Sequence, residues 1–92
     1  MKTRDLEPMI SSGVTAVRTV LSRPKNQAKG DFGDNLEEFR IKAMYEMNEL
    51  HAEIAVPSVI DYERTMYEAA DACAFLFAII HSCARKIDEA GR

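Results

Sequence analysis

The stretch Ala69 to Ile80 (AADACAFLFAII) is apolar on every face of a helix except at Asp71. A helix that is apolar all round must be buried all round. A chain of 92 residues makes a single small domain with a modest buried fraction. Three helices of such a chain do not supply enough surface to cover a fourth side. The simplest solution is another subunit, so the expected architecture is an all-α, three-helix chain whose bundle is completed by dimerisation or tetramerisation.

Hydrophobic periodicity places the helices. Leu6, Ile10, Val14, Val17 and Leu21 recur at steps of three and four and predict an amphipathic helix over about 6–21. Residues 22–34 (SRPKNQAKGDFGD) hold Pro24, Gly30 and Gly33 and read as the longest loop. Asp34 is a suitable N-cap with Glu37 at the capping-box position, so a second helix is expected over about 35–55. Its apolar stripe is Leu36, Phe39, Ala43, Met47, Leu50 and Ile54. Lys42, Glu46, Glu49 and Glu53 form a ridge beside that stripe, placed to look into a cleft between helices. Pro57 ends the helix, because the residue before a proline avoids the α region. Ser58 followed by Asp61 starts a third helix over about 59–90.

The chemistry-bearing residues are paired carboxylates. Glu46-x-x-Glu49 and Glu68-x-x-Asp71 each put two side chains on adjacent turns of one helical face. Two such pairs on packed helices would converge four oxygen-bearing groups, which repel unless a cation sits among them. Single pairs are common on solvated faces. The second pair differs in its setting, since Asp71 stands inside the apolar run, where an ionised carboxylate without a partner is costly. The cations nearest it in sequence are Arg64 and Arg85. An all-oxygen ligand set points to Mg²⁺, with Mn²⁺ as a substitute, rather than Zn²⁺.

Other signals narrow the classes. A net charge of −3 argues against a nucleic-acid polymer held on a basic face. Cys73 and Cys83 lie about 15 Å apart along one helix, too far for a disulfide between them, and read as reduced thiols. The start MKTRDLEPMISSG lacks the apolar core of a signal peptide, and Ala72 to Ile80 is too short to span a bilayer. A soluble, cytoplasmic protein without membrane attachment is therefore expected. His51 reads as a surface residue and His81 as a helix-interface residue. Phe32 reads as a loop aromatic tucked against the bundle, with stacking on a base as its alternative. Neither Ser11, Ser12 nor the cysteines have a base in a recognisable nucleophile pattern, and no P-loop is present.

The segment KAMYEMNEL (Lys42 to Leu50), followed by YEAADACAFLF (Tyr67 to Phe77), resembles the signature of the all-α nucleotide pyrophosphohydrolases. That group comprises MazG-like enzymes, dimeric dUTPases and phosphoribosyl-ATP pyrophosphohydrolases. Its pattern is E-x-x-E, a spacer, then E-x-x-D, with a Lys four residues before the first Glu. Lys42, Glu46, Glu49, Glu68 and Asp71 match it, and the resemblance covers about Leu36 to Ile80. It implies cleavage of a nucleoside triphosphate between the α- and β-phosphates, with release of pyrophosphate. Glu46, Glu49, Glu68 and Asp71 would hold Mg²⁺, Glu46 or Glu49 would serve as general base, and Lys42 would contact phosphate. Family members usually continue into a further helix whose Lys, Asn and Arg grip phosphates. Here Arg85 and Lys86, or the loop cations Arg23, Lys25 and Lys29, are available for that role. The phosphoribosyl-ATP branch shares a closely similar YEAAD segment. Its usual Ser-Tyr-Thr-like stretch is replaced by Asp31-Phe32-Gly33-Asp34, which puts the MazG-like reading ahead.

The rival reading is a helical interaction module without chemistry. In it the apolar third helix binds a partner and the acidic ridge recognises a basic one.

Overall fold

The computed structural model describes residues 3–27 and 35–91. These form four α-helices: α1 (Thr3–Leu21), α2 (Pro24–Gln27), α3 (Leu36–Ile54) and α4 (Tyr62–Ala90), with a single 3-10 turn at Pro57–Val59. No strand occurs among the described residues. The long helices fall where the periodicity puts them, so the chain is all-α.

The helix starts differ in detail from the sequence reading. Asn35, not Asp34, caps α3: its side-chain oxygen accepts from the Glu38 N–H at 3.0 Å. Asp34 itself lies outside the described residues. Ser58 falls in the 3-10 turn, and Asp61 caps α4 by accepting from the Arg64 N–H at 3.1 Å. In both places several cap-forming residues stand close together, and only the backbone geometry selects one. The segment 22–34 is not loop throughout. It opens with the one-turn helix α2, held by the Asn26 side-chain amide donating to the Val20 carbonyl at 2.7 Å.

Helix α4 lies between the other two long helices, packed on one side by α1 and on another by α3. Ala16, Val17 and Val20 of α1 meet Ala70 and Ala74 of α4, with Leu21, Tyr67 and Cys73 closing around them. The Arg23 guanidinium stacks 5.0 Å from the Tyr67 ring centre and ties the α1–α2 turn to α4. Helices α3 and α4 form an antiparallel hairpin. Phe39, 2% exposed, and Ala43 are the buried residues of α3, and Ala72 is buried on α4. An ion pair of 2.7 Å between Glu53 and Arg64 joins the two helices at the connected end.

The face α3 presents to α4 is therefore rotated from the expected stripe. Leu36, Met47 and Ile54 are exposed, while Phe39, Ala43, Glu46, Leu50 and Glu53 line the contact. The acidic ridge does not run beside the packing face; Glu46 and Glu53 are part of it. Leu6 and Ile10 of α1 are likewise exposed, and that helix packs through its C-terminal half. His51 is at the surface, and so is His81, which meets no helix interface within the protomer.

Helix α4 also corrects the expectation that no segment could span a bilayer. As one continuous element it is long and apolar enough, by length and composition alone, to cross a membrane. Its acidic pair, however, faces α3 and not open space.

The capping geometry yields a stability test. Asp61→Ala removes a side-chain cap and should cost about 1 kcal/mol, whereas Ser58→Ala should be nearly neutral. Urea denaturation of both variants followed by circular dichroism checks the ranking.

Candidate functional site

Antiparallel packing of α3 on α4 brings the two carboxylate pairs to the same level. One carboxylate oxygen from each of Glu46, Glu68 and Asp71 lies within 4.8 Å of the other two, and all three residues are half-buried. Oxygens sharing one hard cation stand about 3–4 Å apart, so small side-chain rotations bring these three into range. The neighbours on either side explain the convergence. Ala43 on α3 and Ala72 on α4 are buried small residues, which permit the two helices to approach closely. Carboxylates on the adjoining turns, longer than alanine, must then meet.

Like charges at this separation are unfavourable, and the titration of the site reflects it. Burial pushes the Glu46 carboxyl from its usual 4.5 up to about 7, with the charges of Glu49, Asp71 and Glu68 adding in that order. Burial also raises Glu68, followed by Glu49 as a hydrogen-bonding neighbour and as a charge, and then by Asp71. Arg64 acts in the opposite sense on Glu68 but is the smallest influence. Oε2 of Glu46 and Oε2 of Glu68 are buried with no hydrogen-bond partner. Thr65 Oγ1, one helical turn before Glu68, is in the same condition. Buried acceptors of this kind ordinarily find a donor. These carboxylates could hold a divalent cation, and an oxygen-only set is of the kind that suits Mg²⁺ or Mn²⁺.

The remaining sequence candidates are placed differently. Glu49 is exposed at the rim and is not one of the converging three. Lys42 pairs with Glu38 at 2.7 Å, one turn back, rather than with Glu46. Its ammonium lies 6.0 Å from the Phe75 ring centre. Arg64, considered as a partner for Asp71, is engaged by Glu53. Arg85 and Lys86 are exposed on α4, the nearer of them about 21 Å beyond Asp71 along the helix, so the protomer does not bring them to the carboxylates. Arg23 is committed to Tyr67, and Lys25 is exposed on α2. Lys29, Phe32 and the Asp31–Asp34 segment lie outside the described residues. Thr65 was missed in the sequence; its place three residues before Glu68 was the available signal.

The raised carboxyls fix a pH dependence. The unfolded Glu46 side chain titrates near 4.5 and the folded one near 7, so between these values the native state holds more protons. Stability of the metal-free protein should fall as pH rises from about 5 to 8. Saturating Mn²⁺ should restore it, most strongly at the upper end, where the carboxylates are ionised and protons no longer compete with the metal. Glu46→Gln should raise the metal-free Tm at pH 8 by a few degrees and remove the Mn²⁺ increment. Thermal melts across pH, with and without metal, test all three expectations.

Compared with protein-family models, curated proteins and solved structures, the chain matches none of them.

Proposed function

We propose that the chain is a divalent-metal-dependent nucleotide pyrophosphohydrolase of the MazG-like kind, splitting a nucleoside triphosphate into monophosphate and pyrophosphate. The observation that carries this reading is the half-buried trio Glu46, Glu68 and Asp71, with an orphaned oxygen on each of Glu46 and Glu68, whose carboxyls are pushed up by burial and by neighbouring charge. Such a site is costly for a purely structural protein and appropriate for one that binds a hard cation. Mg²⁺ at this position would neutralise phosphate charge and acidify a bound water. Glu46, Glu68 and Asp71 would hold the ion. Glu49, exposed and one helical turn on from Glu46, would take a proton from the attacking water. Phosphoribosyl-ATP remains an alternative substrate within the same reaction class. We read the enzyme as cytoplasmic, because Glu68 and Asp71, in the first third of α4 and half-buried against α3, would be expensive in hydrocarbon.

A second reading, the helical interaction module without chemistry, is favoured by one observation. Lys42 is engaged by Glu38, and Arg85 and Lys86 are far along α4, so the protomer gathers few free cations for a triphosphate.

The deciding assay is pyrophosphate release from a panel of canonical and modified nucleoside triphosphates and phosphoribosyl-ATP, with Mg²⁺ or Mn²⁺ against EDTA. The expected result is metal-dependent release that falls by about 100-fold or more in Glu49→Gln with the Mn²⁺-induced rise in Tm retained. Glu68→Gln combined with Asp71→Asn should lose both. Saturable metal stabilisation without release from any substrate would leave the interaction module in its place.

A further inference from the structure

The turn of α4 before Glu68 carries Arg64 and Thr65, four and three residues back, so the two flank Glu68 on one helical face. Helical side chains lean toward the N-terminus, which carries the Glu68 carboxylate over that turn. The Arg64 Nε meets a Glu53 oxygen of α3 at 2.7 Å, while its two terminal amino groups have no partner among the described residues. The guanidinium is thus anchored at one edge and open at the other. Its charge already reaches the site: burial, then Glu49 and Asp71, raise the Glu68 carboxyl, and Arg64 is the one described cation that draws it down. Thr65 Oγ1 is buried without a hydrogen-bond partner, as are one oxygen of Glu46 and one of Glu68. Donors and acceptors are therefore both unmet around Glu68. A cation answers the carboxylate oxygens but accepts nothing from a guanidinium, which only donates. A phosphate carried on that cation does accept, and its oxygens match the planar fork of an arginine.

We infer that Arg64 is a phosphate-binding residue of this site and that its ligand is a metal-bound pyrophosphate group, with one phosphate on the cation and the next on the Arg64 fork. The inference rests on the metal-binding reading of the carboxylates. Spacing supports two linked phosphates over one. Glu53, which holds the guanidinium, stands two helical turns after Glu46 on α3, about 10 Å at 1.5 Å per residue. A single phosphate adds to its own width a metal–oxygen bond of about 2.1 Å and a hydrogen bond of about 2.8 Å, and falls short of that span. A second phosphate makes up the difference. Two other cations of the α3 helix are committed elsewhere: Lys42 is paired with Glu38, and Arg40 takes Glu37 through two of its nitrogens.

Calorimetric titration of inorganic pyrophosphate and of orthophosphate into the full chain at saturating Mg²⁺, beside thermal melts with Mg²⁺ alone, is the test. The wild-type chain should bind pyrophosphate at least tenfold more tightly than orthophosphate, and only with the metal present. Arg64→Gln should keep the Mg²⁺-induced rise in Tm, lose tenfold or more in pyrophosphate affinity and leave orthophosphate unchanged. Arg40→Gln, at a guanidinium already taken by Glu37, should match the wild type. Should Arg64→Gln fail to fold, Arg64→Lys decides, because it keeps the charge without the fork: a several-fold loss is expected, and wild-type affinity would overturn the inference. Equal affinity of the wild-type chain for the two anions would overturn it, and so would an Arg64→Gln variant that binds pyrophosphate normally. Loss of the Mg²⁺ response in a folded Arg64→Gln variant would also overturn it, by making the residue a support of the metal site. Mg²⁺ stabilisation of the wild-type chain without pyrophosphate binding would overturn it and leave the metal site standing. Absence of any Mg²⁺ response would remove the metal site and the inference together.

Discussion

Packing of α3 against α4, with small buried residues on both helices, is the contact on which the rest of the molecule depends. The buried set is dominated by small side chains, Ala16, Ala43, Ala70, Ala72 and Ala74, with Val17, Val20 and Phe39 as the larger members. Helices that meet over alanine sit near the short end of the usual interaxial range. Everything longer than alanine on the facing turns is then forced into contact or out to the rim. Glu46, Glu68 and Asp71 are forced together, Glu53 reaches Arg64, and Glu49 is left outside. The acidic site is thus a direct result of the packing distance.

Much of this was legible in the sequence, and the failures have physical causes. The three long helices follow from apolar spacing and proline placement. The carboxylate pairs follow from their three-residue step. The face of α3 did not, because two apolar stripes compete on it. Leu36, Met47 and Ile54 outrank Ala43 in hydrophobicity, yet the alanine-bearing face wins because α4 offers alanines in return. Hydrophobic periodicity weighs size and polarity and is blind to how near a partner helix can come. The partner of Lys42 along its own helix is a further detail that spacing leaves open. At a four-residue step it can pair forward with Glu46 or back with Glu38, and half-burial of Glu46 beside other carboxylates left the exposed Glu38 as the partner. The exact caps were lost among adjacent cap-forming residues, which local sequence does not rank.

The site and the fold pull against each other in the metal-free chain. Burial and neighbouring carboxylates raise the proton affinity of Glu46 and Glu68, and one oxygen of each lacks a hydrogen-bond partner. Natural proteins keep such costly arrangements where the unmet need has a use. A small domain with an alanine-rich core has little spare stability to set against that cost. The large hydrophobic side chains that would ordinarily supply it, Leu76, Phe77 and Ile80, are mostly outside the protomer core.

Ala72 gains a significance that its small size conceals. It is buried on α4 and is the immediate neighbour of Asp71, so its size bears on the width of the carboxylate cluster. A larger residue there would push on the packing of α4 and spread the carboxylate oxygens without touching one of them. One position in the core thus tunes the chemistry of its neighbour.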